Sequence, residues 1–235
     1  MEKKTELTIL LPLYNPPVGW VVTLKNSFRV LFTLFEGIEI RVLLVNDGSS
    51  ENLDAEITEL KEVNDCIRYV TYARNKGKGF AIWSGLLKAD SEFYIYTDWD
   101  FPFGEDSVYR AYHLLKQSHT DLLVGSRSPE YFASLPFFRK IISKGLHFLA
   151  YPALGFKNID TQAGIKGLTN AARLVFLTNQ TTSFLFELEF IRNCLRRKMS
   201  ITFLPVSPRH DITFSNFGIK TISREMAVFM KLILT

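Results

Sequence analysis

The chain has 235 residues, a length that suits a single domain, and it is 47% hydrophobic and 22% charged. Its formal net charge of +4 is compatible with phosphate-bearing partners or an anionic membrane surface, but it is too small to indicate nucleic-acid binding. Cys66 and Cys194 lack metal-ligand or redox spacing, which favours a reducing compartment, and no apolar run is long enough to predict a membrane-spanning helix.

Short apolar strands alternate with helices through the first half of the chain. The predicted strands are 7–13, 38–45, 67–73, 92–97 and 121–125, and the predicted helices are 20–35, 51–63, 77–89 and 105–117. This alternation predicts an α/β fold with a mostly parallel sheet covered by helices on both faces. Ligands of such sheets bind beyond the carboxyl ends of the strands.

The second half is less regular and contains an aromatic-rich segment at 131–156. On a helix, the basic and hydroxyl side chains of this segment, among them Arg139 and Ser143, fall on one side, with phenylalanine and aliphatic residues on the other. The pattern is typical of an ordinary helix facing the core, and equally of a helix lying in a membrane interface. The segment at 219–234 has the same two interpretations.

Polar clusters follow each of the five predicted strands, at 14–15, 46–49, 74–79, 98–100 and 125–127. The most informative of them is Asp98-Trp99-Asp100. Two carboxylates two residues apart project the same way on a continuing strand, and on a turn both can reach one oxygen-loving ion. The cluster therefore predicts a site for Mg²⁺ or Mn²⁺, with a solvated pair or a cap of the helix at 105–117 as the alternative.

Taken in this order, the motifs resemble a family 2 glycosyltransferase with the Rossmann-like GT-A fold. The resemblance is closest to the branch that makes polyprenyl-phosphate and dolichyl-phosphate sugars, and it extends to about residue 205. The residues that carry it are LPLYN at 11–15, VNDGS at 45–49, NKGKG at 75–79, DWD at 98–100, GSR at 125–127, Arg139 with Ser143, DTQAGIK at 160–166 and FELE at 186–189.

The resemblance implies an inverting transfer of a hexose from a nucleotide diphosphate sugar. It assigns the cation to Asp98 and Asp100, and it assigns the donor nucleotide and its phosphates to Pro12, Tyr14, Asn15, Asp47, Asn75, Lys78, Gly79 and Asp98. Free N–H groups and a lysine at a helix start favour phosphate binding. The alternatives for these residues are ordinary turn chemistry at 46–49 and a solvated basic cap at 75–79.

The same resemblance implies that the acceptor is a polyprenyl phosphate. Arg127, Arg139 and Ser143 would bind its phosphate, and Asp160 and Gln162 would position the sugar or the acceptor; the alternative for the arginines is an ordinary basic surface. A lipid phosphate is already ionised at neutral pH and needs no strong general base. A sugar hydroxyl as acceptor would need a carboxylate, for which Glu187, Glu189, Asp160 and Asp211 are the candidates.

We therefore expect one glycosyltransferase domain over residues 1–235, with a nucleotide-sugar half at 1–127 and an acceptor half at 128–235. Its expected place is peripheral, on the cytoplasmic face of the cell membrane. Two alternatives stay open: a glycosyltransferase that extends a lipid-linked or surface glycan at a sugar hydroxyl, and a non-catalytic scaffold that binds nucleotide sugars. Metal-dependent turnover of a sugar nucleotide would exclude the scaffold.

Overall fold

The computed structural model describes residues 5–127, 163–179 and 186–209. Within these ranges the chain forms seven strands and six helices. In chain order they are β1 (Leu7–Leu13), α1 (Trp20–Leu34), β2 (Ile40–Asn46), α2 (Asp54–Lys61), β3 (Ile67–Thr71), α3 (Lys78–Lys88), β4 (Phe93–Tyr96), α4 (Glu105–Gln117), β5 (Leu122–Arg127), β6 (Lys166–Thr169), α5 (Asn170–Leu177), α6 (Phe186–Arg196) and β7 (Ile201–Val206).

The strands form one sheet in the order β3-β2-β1-β4-β6-β5-β7. β6 runs antiparallel to its neighbours β4 and β5, while the other paired strands are parallel, so the predicted mostly parallel sheet is confirmed. The reversal of β6 places Lys166, its first residue, opposite Tyr96, the last residue of β4. The chain that leads into β6 therefore lies at the carboxyl end of β4.

Two apolar layers cover the sheet, one on each face. Because side chains alternate along β1, Ile9 packs on one face with Leu24 of α1, whereas Leu10 packs on the other face with Ile82 of α3. Helices α1, α2 and α4 cover the first face, and α3, α5 and α6 cover the second. The first layer includes Phe101, which follows β4, so it extends to the carboxyl ends of the strands.

Most predicted boundaries agree with the structure to within one or two residues. The strand at 7–13 and the helix at 105–117 have the predicted bounds. The predicted helix at 51–63 is shorter, because the side chain of Asn52 accepts a hydrogen bond from the backbone N–H of Asp54 (2.8 Å) and makes a turn before the helix begins.

Several predictions fall outside the described residues, including those for the amphipathic segments at 131–156 and 219–234. The division into halves at residue 127 also stays a prediction. Among the helices that the structure describes, none combines the length and the apolar character needed to cross a membrane.

Candidate active site

The loops that follow the parallel strands meet at one edge of the sheet. Strands β2, β1 and β4 are adjacent and parallel, so their carboxyl ends lie side by side at this edge. Asp47 follows β2, Tyr14 follows β1, and Asp98 comes shortly after β4. α3 begins at the same edge with Lys78, after the loop from β3. The fold thus brings together clusters that are far apart in the sequence, as the carboxyl-end rule predicts.

Lys78 and Asp98 form the central contact of this edge. The Lys78 Nζ lies 2.6 Å from the Asp98 Oδ1, and the two side chains are 30% and 39% exposed. Burial by itself lowers the pKa of Lys78, but the charge of Asp98, followed by those of Glu187 and Asp100, more than offsets it and raises the pKa. Lys78 is therefore a positive charge at neutral pH, at the start of a helix, where backbone N–H groups favour anions.

Asp100 completes the acidic part of the cluster. Burial raises the pKa of this carboxyl, and the negative charge of Asp98 raises it further. The turn between them is closed by a hydrogen bond from the Phe101 N–H to the Asp98 carbonyl (3.1 Å), and Phe101 is buried with a left-handed φ of 46°. A left-handed conformation is costly for a bulky residue, so the packing of Phe101 holds this turn in place.

Asp98 and Asp100 are the carboxylates that would hold a divalent cation, because two neighbouring carboxylates are stabilised in their charged form by a positive ion between them. The second oxygen of Asp98 lies beside Gly164, where a Cβ would be 2.5 Å from it. Among the described residues, no group of three or more His, Cys, Asp or Glu side chains could hold a metal. One or two carboxylates completed by substrate phosphates are the usual ligands of Mg²⁺.

Asp47 organises the loop that leads into α3. Its carboxylate accepts hydrogen bonds from the Tyr72 hydroxyl (2.7 Å), the Asn75 side chain (2.9 Å) and the backbone N–H groups of Lys76 and Gly77 (both 2.8 Å). Each oxygen accepts two of the four bonds, and the residue is buried. The structure thus gives Asp47 a positioning role for the loop; its assignment to the base or ribose of a nucleotide stays a prediction.

The ends of β1 and β2 are tied together by Asn15. Its backbone N–H donates to the Ser49 hydroxyl (2.9 Å), and its side-chain oxygen accepts from the backbone N–H of Ser50 (2.9 Å). Tyr14, the preceding residue, is 52% exposed, and Pro12 lies within β1 opposite Val45. Tyr14 therefore offers an open aromatic ring at the edge where a nucleotide was predicted.

Gly79 and Arg127 lie at two further positions of this edge. A Cβ on Gly79 would lie 2.8 Å from the ring of Phe186, so glycine is needed there for close packing of α3 against α6. Arg127 is the last residue of β5 and is partly buried. Arg139, Ser143, Asp160 and Gln162, predicted to act with Arg127 on the acceptor, lie outside the described residues.

Two parts of the site were missed by the sequence analysis. Arg209 follows β7, donates its backbone N–H to the Pro102 carbonyl (2.9 Å) and contacts Glu105 (3.4 Å); its charge acts to lower the pKa of Asp100. The sequence feature that could have indicated Arg209 is its position shortly after a strand.

The other part that was missed is a buried ion pair between Lys166 and Glu187. The sequence analysis had given Glu187 no role other than that of a candidate general base.

Comparison with known proteins places the chain in a family. The sequence model described as "Glycosyl transferase family 2" matches residues 8–173. The chain belongs to glycosyl transferase family 2. The predicted resemblance to this family, and to its branch of dolichyl-phosphate sugar synthases, is confirmed.

Relatives of known activity extend this result. A dolichyl-phosphate beta-glucosyltransferase of Saccharomyces cerevisiae is 25% identical over 94% of this chain, and the match spans 72% of that protein. A second, from Trichomonas vaginalis, is 30% identical over 70% of this chain and 51% of its own length. The chain thus matches from about half to about three quarters of these two proteins.

The solved structures show the same fold. Glucosyl-3-phosphoglycerate synthase of Mycobacterium tuberculosis, crystallised with Mn²⁺, UDP and glucosyl-3-phosphoglycerate, superposes with a TM-score of 0.69 at 15% identity. The match covers 98% of this chain and 79% of that one. The mostly parallel sheet with flanking helices is therefore shared with an enzyme that binds a nucleotide and a metal ion.

Proposed function

We propose that this chain transfers glucose from UDP-glucose to a polyprenyl phosphate, with inversion at the anomeric carbon. The observation that carries the proposal is the cluster of Lys78, Asp98 and Asp100 at the start of α3. It combines a positive charge and two adjacent carboxylates at the first turn of a helix, where backbone N–H groups favour anions. The names of the relatives supply the sugar and the class of acceptor.

The chemistry of the cluster suits the departure of a nucleoside diphosphate. The barrier is dominated by the negative charge that develops on this leaving group as the anomeric carbon becomes cation-like. Asp98 and Asp100 would hold Mg²⁺ or Mn²⁺, which when bound supplies Lewis-acid stabilisation of the leaving group. Lys78 contributes a second positive charge whose position is fixed by Asp98 before the donor binds, so little reorganisation is needed.

The acceptor side of the proposal requires no general base. A prenyl phosphate oxygen is already ionised at neutral pH, so it can attack without losing a proton. This agrees with the environment of Glu187, which is buried and bound to Lys166 and Tyr96. We assign the acceptor phosphate to Arg127, together with the predicted Arg139 and Ser143, because guanidinium groups match phosphate oxygens in geometry and charge.

The membrane-surface location is also part of the proposal. A polyprenyl phosphate is held in the bilayer, so the acceptor must be met there, and we place the enzyme on the cytoplasmic face. Pure protein is expected to co-sediment with anionic liposomes, with binding that weakens as salt rises, if the basic and aromatic segment at 131–156 lies in the interface.

The deciding experiment follows radiolabelled sugar from a panel of UDP-sugars and GDP-sugars to a short polyprenyl phosphate, with Mg²⁺ or Mn²⁺. Label entering the organic phase from UDP-glucose, and not from GDP-mannose, is the expected result. Asp100→Asn should abolish transfer, and Arg139→Ala should abolish transfer while leaving donor binding nearly intact. Metal-dependent hydrolysis of the donor without a lipid product would indicate that the acceptor is a hydroxyl group and not a prenyl phosphate.

A further inference from the structure

Lys166 and Glu187 form an ion pair inside the protein, directly behind the candidate active site. The Lys166 Nζ lies 3.0 Å from the Glu187 Oε2, and their side chains are 0% and 6% exposed. Lys166 also donates to the Ala163 carbonyl (2.6 Å), and the Tyr96 hydroxyl donates to the Glu187 Oε1 (3.3 Å). A buried ion pair is rarely more stabilising than well-packed apolar side chains, so stability alone does not account for it.

The partners of this pair adjoin the residues of the active site. Ala163 precedes Gly164, which lies so near these two side chains that a Cβ on it would be 2.5 Å from the Asp98 carboxylate and 3.4 Å from the Lys78 Nζ. Tyr96 ends β4 two residues before Asp98. The pair therefore links the start of β6 with the end of β4.

Glu187 also connects the pair to α3. Its neighbour Phe186 packs on Gly79, the residue that follows Lys78. Through Phe186, the pair therefore adjoins the first turn of α3.

We propose that Lys166 and Glu187 are positioning residues for the metal and diphosphate site. Lys166 holds the Ala163 carbonyl, and through it the Gly164 backbone, against Asp98. By pairing with Glu187, whose neighbour Phe186 packs on Gly79, it also anchors the first turn of α3, which carries Lys78. This inference rests on the proposed function, because it assigns the pair to the binding of a metal-bound nucleotide.

The test compares thermal stability with nucleotide affinity in three variants, Lys166→Met, Glu187→Gln and the double variant. UDP is titrated calorimetrically in the presence of MnCl₂, and unfolding is followed by melting. Lys166→Met leaves an unpaired buried carboxylate and should lose both stability and affinity. The double variant removes both charges and should recover most of the melting temperature, yet bind UDP about 10- to 100-fold more weakly than the wild type, as outer-shell partners of a metal site do.

Two comparisons make the result specific. Glu187→Gln keeps the bond from Lys166 to the Ala163 carbonyl and is expected to bind UDP more tightly than the double variant. Glu6→Gln removes a different ion pair, the one with Lys116, and should bind as the wild type does.

Failure of the inference can be told from failure of the proposed function. A double variant that binds UDP and Mn²⁺ within about twofold of the wild type would overturn the positioning role while leaving the function intact. Wild-type protein that binds neither UDP nor GDP with Mn²⁺ would overturn the proposed function and this inference with it.

Discussion

Gly164→Ala tests whether the carboxylate of Asp98 must stay where the structure places it. A Cβ built on Gly164 would lie 2.5 Å from the Asp98 Oδ2 and 3.4 Å from the Lys78 Nζ. Gly164 does not have the left-handed conformation that favours glycine, so alanine meets no backbone strain. The substitution therefore acts mainly on the position of one carboxylate.

The size of the effect follows from these distances. Ordinary contact begins near 3.4 Å, so the Asp98 oxygen must retreat by about 0.9 Å, while its other oxygen is held by Lys78 at 2.6 Å. A misplacement of about 1 Å in an active site can cost about 100-fold in rate. We expect kcat/KM for UDP-glucose to fall about 10- to 100-fold, with a melting temperature close to that of the wild type.

The assay is steady-state transfer to a short polyprenyl phosphate, with calorimetric binding of UDP and Mn²⁺ as a second measurement. Gly167→Ala is the matched control, since it lies in the adjoining strand β6 and its Cβ would meet the apolar side chain of Leu123 at 3.3 Å. Gly167→Ala should lower the melting temperature without a comparable loss of affinity for UDP and Mn²⁺. If Gly164→Ala keeps kcat/KM within about threefold of the wild type, the position of Asp98 does not limit the reaction and the reasoning fails.

Three further substitutions test catalysis, core packing and the pH dependence of stability. Lys78→Met should lower kcat/KM at least about 100-fold by removing a preorganised charge, with a small change in melting temperature. Gly85→Ala would place a Cβ 2.5 Å from the Leu10 side chain. Denaturant titration should show that the free energy of unfolding falls by about 1–2 kcal/mol, while kcat in the transfer assay stays normal. Glu6→Gln tests pH dependence, since the hydrogen bond from Lys116 is the main cause that lowers the pKa of Glu6 below its ordinary value near 4.5. This interaction should stabilise the wild type by about 1 kcal/mol above pH 4.5. The stabilisation should be lost as the pH falls through the lower pKa that Glu6 has in the folded protein. Below that pKa the wild type and Glu6→Gln should have the same free energy of unfolding.

The sequence was sufficient for the first half of the fold because its local and tertiary preferences agree. Strand β1 alternates apolar side chains that are buried on both faces of the sheet, and this apolar run therefore predicted the correct bounds 7–13. The length of α2 was wrong by a few residues since the turn made by Asn52 has no effect on hydrophobic periodicity. The strand β6 was not predicted, because its four residues, KGLT, are too short and too polar to show a pattern.

For the candidate site, the residue types were predictable and their partners were not. The pairing of Lys78 with Asp98 needed the parallel register of β1 and β4, which no local motif contains. Asp47 was expected to face a ligand, since a polar strand end suggests one, yet its four hydrogen bonds go to the neighbouring loop. Lys166 was recognised only as part of a motif, because a lysine gives no sequence signal for complete burial.

The reversed direction of β6 explains how the site is assembled. In a parallel strand, the residues that precede the strand lie at the edge opposite the ligand. Since β6 is antiparallel to β4, Gly164 reaches this edge from the other direction and lies next to the Asp98 carboxylate. Lys166 follows Gly164 by two residues and is fully buried, so its charge needs a partner. Glu187 of α6 is that partner. One inverted strand thus accounts both for the close backbone approach to the carboxylate and for the buried charges behind it.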